Sequence, residues 1–142
     1  MRHVMVATDG SEGANRAVDV AVNLAKALAG DLLIATVADN LLGEEVRELA
    51  RIEGSIGDAL EALTSQTLRA AEVRAYQLGL AKIELRTGSG DVTQSLINIV
   101  ASNSVEMLVL GRRGRGQLSG LLLGSVSQKL VSLAPCIVVV VP

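Results

Sequence analysis

Five short aliphatic runs, separated by longer stretches with helical periodicity, constrain the fold of this 142-residue chain most strongly. We predict strands over 3–8, 32–38, 81–87, 105–110 and 136–141. Between them we predict helices over 11–30, 55–78 and 91–103, a loop with a short helix over 39–54, and a short helix from Ser125. Ser11 is a suitable N-terminal cap, and Gly30 and Gly79 stand where helices commonly end. Strands that alternate with helices predict an α/β fold, with a three-layer sandwich around a parallel sheet in a single domain over 1–142.

Composition limits the classes of partner. Hydrophobic residues make up 49% of the chain, yet Phe and Trp are absent and Tyr76 is the only aromatic residue. The core must therefore consist of aliphatic side chains, which suit buried parallel strands. A net charge of -2 gives no overall attraction for nucleic acid, and one tyrosine cannot form a stacking platform for bases. We therefore expect no nucleic-acid partner.

The cysteine and histidine content indicates a reducing compartment and no metal cluster. Cys136 is the only cysteine, so the chain forms no internal disulfide, and its apolar neighbours predict a buried, unreactive thiol. His3 is the only histidine and falls in the first predicted strand. The apolar start "VMVA" is too short for a signal peptide, and "LAPCIVVVVP" is too short to cross a bilayer. We expect a cytoplasmic protein without membrane insertion.

The glycine-rich stretch "LVLGRRGRGQLSGLLLGSVSQKL" (108–130) fits neither of two common phosphate motifs. A P-loop needs Lys and then Ser or Thr after its second glycine, but Gln117 and Leu118 follow Gly116. The dinucleotide fingerprint belongs in the first strand-to-helix turn, where this chain has "TDGSEG" instead. These mismatches argue against a Walker A site and against a Rossmann NAD site.

An anion site at the start of the last helix is still consistent with this stretch. Gly124 and Ser125 open a helix, whose free N–H groups and dipole favour a phosphate, and the hydroxyls of Ser125 and Ser127 add donors. Gly111 and Gly114 let backbone approach a ligand closely. The alternative is that the glycines only permit turns and the arginines are solvated. The residues themselves leave both interpretations open.

The spacing G-x2-G-x9-G-S, formed by Gly111, Gly114, Gly124 and Ser125, resembles the nucleotide-binding motif of the universal stress protein family. Three longer stretches are also similar to that family: "VMVATDGSEGANRAV", "LRTGSGDVTQSLINIV" and "MLVLGRRGRGQLSGLLLGSVSQKLVSLAPCIVVVV". The resemblance covers almost the whole chain and is weakest over 40–70. Gly90 departs from it, because the family often has proline there, and we expect a less rigid loop.

The resemblance implies a Rossmann-like sheet in the order 3-2-1-4-5, with ATP, or ADP or AMP, bound where strands one and four separate. It implies Mg²⁺ with the nucleotide and Asp9 as its contact, although Asp9 also suits a ribose hydroxyl or the cap of the turn. The residues that it assigns to the nucleotide are Ala7, Thr8, Asp9, Val37, Leu110, Gly111, Arg112, Arg113, Gly114, Gly124, Ser125, Val126 and Ser127.

No pair of a nucleophile and a base is evident in the sequence, so we predict no catalytic residues and at most slow ATP hydrolysis. The leading hypothesis is an ATP-binding sensor or regulator in the stress response. The alternative is an interaction module, such as an accessory regulator of a transporter or kinase, whose association bound nucleotide tunes. An adenylyl-transfer enzyme would need a histidine or lysine motif that "TDGSEG" lacks.

The outermost strands of the implied sheet predict a homodimer. Strand three carries Lys82, Glu84 and Arg86, which discourage pairing with another chain, whereas "CIVVVV" has no charge. An uncharged edge invites pairing with its own copy, in agreement with the resemblance. The predicted contact comprises Ile137, Val138, Val139, Val140 and Val141.

Overall fold

The structure, a computed structural model, describes residues 3–41, 48, 51–52, 54–112 and 123–142. Its elements in chain order are β1 (His3–Ala7), α1 (Glu12–Ala27), β2 (Asp31–Val37), a 3₁₀ helix (Ala38–Leu41), α2 (Ile56–Gln77), β3 (Ile83–Gly88), α3 (Val92–Ser102), β4 (Met107–Gly111), α4 (Ser125–Leu133) and β5 (Ile137–Val141). Each predicted strand overlaps an observed one. Much of the loop predicted over 39–54 lies outside the described residues.

The five strands form one parallel sheet in the order β3-β2-β1-β4-β5. Val4 of β1 is in register with Leu32 of β2 on one side and with Met107 of β4 on the other. The α/β class, the parallel sheet and the order 3-2-1-4-5 are thereby confirmed. Since the chain leaves β1 toward β2 and later returns to β1's other side, the switch in strand order lies between β1 and β4.

Both faces of the sheet are covered, which explains why the strands are apolar almost throughout. Val4 and Val6 pack with α1 and α2 on one face, and Met5 packs with α3 and α4 on the other. The predicted three-layer sandwich is confirmed. No helix in the described ranges combines the length and the apolar character that a bilayer span requires.

The helix caps follow the sequence prediction with one correction. The hydroxyl of Ser11 accepts a hydrogen bond from the N–H of Ala14 at the start of α1. At the end of α1, however, the left-handed residue is Ala29, with φ +52°, and not Gly30. Gly30 instead donates its N–H to Ala25 O, so the left-handed position lies one residue earlier than we predicted. Gly79, with φ +92°, does take the predicted position after α2.

Candidate functional site

A crevice of about 650 Å³, including its open mouth, lies at the carboxyl ends of β1, β2 and β4. The residues that line it are Ala7, Thr8, Asp9, Ala14, Ala35, Val37, Asn40, Val92, Leu96, Leu110, Gly111, Gly124, Ser125, Val126 and Ser127. The structure therefore gathers into one crevice all the predicted nucleotide contacts that it describes, except Arg112.

The turn between β1 and α1 is held by hydrogen bonds to β2 and by hydrogen bonds within the turn. Thr8 donates its N–H to Ala35 O at 2.9 Å, and the hydroxyl of Thr36 donates to Thr8 O at 2.7 Å. Gly10 has φ +82°, a conformation that favours glycine. Asp9 Oδ1 accepts the N–H of Ser11 at 3.0 Å, and Asp9 is only 4% exposed. The capping role that we considered for Asp9 is therefore present.

The opposite wall of the crevice is built where β4 ends and α4 begins. Gly124 donates its N–H to Arg112 O at 2.9 Å. The hydroxyl of Ser127 lies 2.9 Å from Gly111 O and 2.8 Å from Arg112 O, so its single proton is shared between two carbonyl oxygens. What Ser127 presents to a ligand is consequently its backbone N–H and not the hydroxyl donor that we predicted.

Packing against α1 requires a residue without a side chain at Gly111, which the sequence analysis did not predict. An added Cβ would lie 3.1 Å from both the carbonyl carbon and oxygen of Gly13, in the first turn of α1. Absence of a side chain thus lets the end of β4 pack against the start of α1. This close contact is independent of any ligand.

The N-terminus of α4 is an electropositive feature of the crevice. Gly124 is its N-cap and supplies no side-chain hydrogen bond, so within the described residues no cap side chain accepts from the first N–H groups of α4. Such N–H groups, together with the helix dipole, favour an anion. Among the residues that line the crevice, Gly124, Ser125, Val126 and Ser127 mark this anion-favouring end.

Of the three arginines in the glycine-rich stretch, the structure describes only Arg112. Arg112 is absent from the crevice lining, and its Nε is buried without a hydrogen-bond partner in the described part of the chain. Arg113 and Gly114, and with them Arg115, lie outside the described residues.

The other end of the crevice is mainly apolar and includes residues that the sequence analysis missed. Val37, Asn40, Val92 and Leu96 line it, and Leu96 belongs to the core beneath. The resemblance pointed to Val37 alone. Asn40 could have been predicted from the sequence, because it is an amide close to the carboxyl end of an inner strand, where open α/β sheets bind ligands.

Gly90, the departure from the family pattern, is tied to this end of the crevice. It has φ +82°, and its N–H donates to Asp39 Oδ1 at 2.8 Å. Proline is excluded by both features, since it has φ near −65° and no N–H. The hydrogen bond compensates for the absent proline ring by fastening the loop to the 3₁₀ helix.

Metal and thiol chemistry find little support near the crevice. Within the described ranges, no group of three or more His, Cys, Asp or Glu residues is arranged to hold a metal ion. Asp9 would supply a single carboxylate, so Mg²⁺ there would need phosphate oxygens and water as its other ligands.

Cys136 precedes β5 and is partly buried, and burial raises the pKa of its thiol, as expected for an unreactive cysteine.

A model of the universal stress protein family matches residues 1–142. The universal stress protein in the QAH/OAS sulfhydrylase 3′ region of Thermus aquaticus is 31% identical over 144 residues, which cover 97% of this chain and 96% of that protein. A crystal structure of a universal stress protein in complex with cAMP is 30% identical, with a TM-score of 0.71 over 99% of this chain and 97% of that one. The universal stress protein UspA from Lactobacillus plantarum, at 20% identity, has the same fold, with a TM-score of 0.80 over 99% and 97% of the two chains.

Proposed function

The chain belongs to the universal stress protein family, and from this premise we propose that it binds ATP, or ADP or AMP, in the crevice and acts as a nucleotide-dependent sensor or regulator in the stress response. The observation that carries the proposal is one crevice with two different ends: the N-terminus of α4, which has no side-chain cap in the described residues, and a mainly apolar end. A phosphate matches the first end and a purine base the second. The cAMP bound by a relative of 30% identity supports the adenine-nucleotide class.

In the proposed complex, the phosphates lie against the N–H groups of Ser125, Val126 and Ser127. The ribose lies over the turn with Thr8 and Asp9, and the base lies beside Val37. Arg113 and Gly114 of the G-x2-G-x9-G-S motif complete the phosphate end in this proposal. Mg²⁺ enters with the nucleotide and is shared between phosphate oxygens and Asp9. Asp9 is the one carboxylate among the described lining residues, and in this proposal it contacts Mg²⁺ and does not activate water, so we expect slow hydrolysis at most.

We also propose that the whole chain acts as one universal stress protein domain, in the cytoplasm, as a homodimer paired through β5. The strand is at the edge of the sheet, and Ile137 is 57% exposed there. The N–H of Ile137 reaches Glu106 O, and Val141 O accepts from the N–H of Arg112. Because backbone groups alternate in direction along a strand, the N–H and C=O groups of Val138 and Val140 point away from β4 and are available to a second copy.

A substitution at Ser125 tests the phosphate end without disturbing the helix. Proline is favourable at the first position of a helix, and Gly124 already has the extended backbone, φ −68° and ψ 165°, that suits a residue before proline. Ser125→Pro therefore removes one N–H and one hydroxyl while α4 stays intact. Ser125→Ala is the matched control, since it removes the hydroxyl alone.

The measurement is thermal unfolding of nucleotide-stripped protein, with and without Mg-ATP, ADP or AMP. Ligand at a hundred times its dissociation constant stabilises the native protein by about 2.7 kcal/mol, which is a shift of roughly 5–11 °C. We expect this shift for the parent and for Ser125→Ala, and a much smaller one for Ser125→Pro at the same concentration. No shift for the parent with any of the three nucleotides would contradict the proposed function.

A second candidate function, an interaction module tuned by nucleotide, is favoured by the position of Arg112. Its backbone N–H bonds Val141 O at the end of β5, and its carbonyl accepts from Gly124 and Ser127 at the start of α4. Arg112 thus links the start of α4, which lines the crevice, to the end of the edge strand β5. In this case, association with a transporter or kinase, measured by pull-down, should change when ATP or AMP is added.

A further inference from the structure

The 3₁₀ helix after β2 holds one crevice residue, Asn40, between two anchored neighbours. Asp39 on one side accepts the N–H of Gly90 at 2.8 Å, which fastens it to the loop before α3. Leu41 on the other side is 1% exposed and packs with Ala59 and Leu63 of α2. The backbone of Asn40 is therefore fixed from both sides, whereas its own side chain is only partly buried.

The carboxamide of Asn40 is available for a ligand. Within the described ranges it has no hydrogen-bond partner in the protein, and Asn40 lines the crevice next to apolar side chains. At this end Val37, Val92 and Leu96 contribute no polar side-chain atoms. A ligand group that reaches this end needs partners for its hydrogen-bond donors and acceptors. The carboxamide of Asn40 is the side-chain group in a position to supply them.

We propose that Asn40 is a specificity-determining residue that reads the base of the bound nucleotide through its 6-amino group. A carboxamide has a donor and an acceptor side by side, which match the 6-amino donor and the adjoining ring-nitrogen acceptor of adenine. Either edge of adenine that carries the 6-amino group presents this pair. The inference rests on the proposed function, because it assigns the base to the apolar end and the phosphate to the N-terminus of α4.

The surroundings make such a contact discriminating. Because the backbone of Asn40 is already held from both sides, only its side-chain torsions lose freedom on binding, so more of the hydrogen-bond energy appears as affinity. Apolar side chains of Val37, Val92 and Leu96 line the same end of the crevice and offer no other polar partner. A base that lacks the 6-amino donor leaves the carbonyl of Asn40 unpaired in this setting, which is costly.

A double-mutant cycle between Asn40 and the 6-amino group tests the proposal. The ligands are AMP and purine ribonucleoside 5′-monophosphate, which differ only by that amino group, and the readout is the dissociation constant from calorimetry. The parent protein should prefer AMP by roughly 5- to 150-fold, the range for a good two-point contact to a base. Asn40→Ala should lose most of this preference. Asn40→Asp keeps almost the same side-chain shape and the acceptor but loses the N–H donor. This variant should bind AMP more weakly than the parent does.

Asn98→Ala is the matched control, because Asn98 is exposed on α3, bonds Gln94 and is absent from the crevice lining. It should keep the full preference for AMP. A parent that binds both nucleotides equally, or an Asn40→Ala variant that retains the full preference, overturns the role of Asn40 while the proposed function stands. A parent that binds neither nucleotide, nor ATP, overturns both.

Discussion

Replacing Gly111 by alanine separates a packing requirement from a ligand requirement at the end of β4. The new Cβ would lie 3.1 Å from the carbonyl carbon and oxygen of Gly13 and 3.4 Å from the N of Ala14. Favourable contacts between carbon atoms begin at about 3.5 Å. The crowded atoms belong to the backbone of α1's first turn, so no side chain can rotate away. The sheet and α1 must separate slightly, at a cost of about 1–3 kcal/mol, which is typical of overpacking.

Gly57 provides the control. It lies in the first turn of α2, and a Cβ there would meet no atom within 4 Å. Alanine is a better helix former than glycine by up to about 1 kcal/mol, so Gly57→Ala should leave stability unchanged or raise it. The two substitutions add the same atom, and only the surroundings differ.

The assay is urea unfolding without nucleotide, supported by thermal unfolding. Gly111→Ala should lower the urea midpoint with an unchanged m-value, and lower Tm by roughly 2–12 °C. Gly57→Ala should shift neither quantity downward. If Gly111→Ala unfolded at the midpoint of the parent protein, the crowding argument would be wrong, and any loss of nucleotide binding would have to come from the ligand side of Gly111.

Three further predictions concern the charge pair, the loop and the edge of the sheet. Arg74 bonds both oxygens of Asp19, at 2.6 and 2.8 Å, and this hydrogen bonding lowers the pKa of Asp19. Because its pKa is lower in the folded state, ionised Asp19 stabilises the fold fully at pH values above its unfolded pKa of about 3.9. This stabilisation is lost as the pH falls through the folded pKa. Because both side chains are more than a third exposed, Asp19→Asn should cost at most about 1 kcal/mol at pH 7, and progressively less in urea titrations below about pH 4. Gly90→Pro should destabilise by more than about 1 kcal/mol, measured by urea unfolding, because it forbids the left-handed φ and removes the N–H that Asp39 accepts. Val140→Pro should give a folded monomer by light scattering, because its N–H points away from β4; a variant that remained dimeric would contradict pairing through β5.

Local patterns were sufficient to predict the elements but not every boundary. The cap at Ser11 was readable because a serine hydroxyl reaches the N–H three residues on within one turn. The end of α1 was misplaced because glycine is the usual left-handed residue, whereas here Ala29 accepts that conformation and Gly30 closes the turn. Strand order required the family resemblance, since apolar runs of similar composition do not specify their neighbours.

In the candidate site, too, local patterns predicted some features and missed those that depend on distant contacts. Periodicity and the glycine spacing located the ends of β1 and β4, and parallel strands place such ends on one edge of the sheet. The role of Ser127's hydroxyl was misjudged, because its acceptors, the carbonyls of Gly111 and Arg112, are more than ten residues away. The sequence does not show that the backbone of Asn40 is held at the crevice, because the contacts that hold it come from other parts of the chain, Gly90 and α2.

The sequence by itself determined the alternation of strands and helices, the aliphatic core and an uncharged last strand. These properties depend on residues close together along the chain, where side-chain periodicity and capping act within one or two turns. Only the tertiary structure decided which side chains meet across the switch between β1 and β4, and which polar groups are already satisfied there. Those contacts join residues up to about a hundred positions apart, and they follow from how α1 and α4 pack against the ends of the strands.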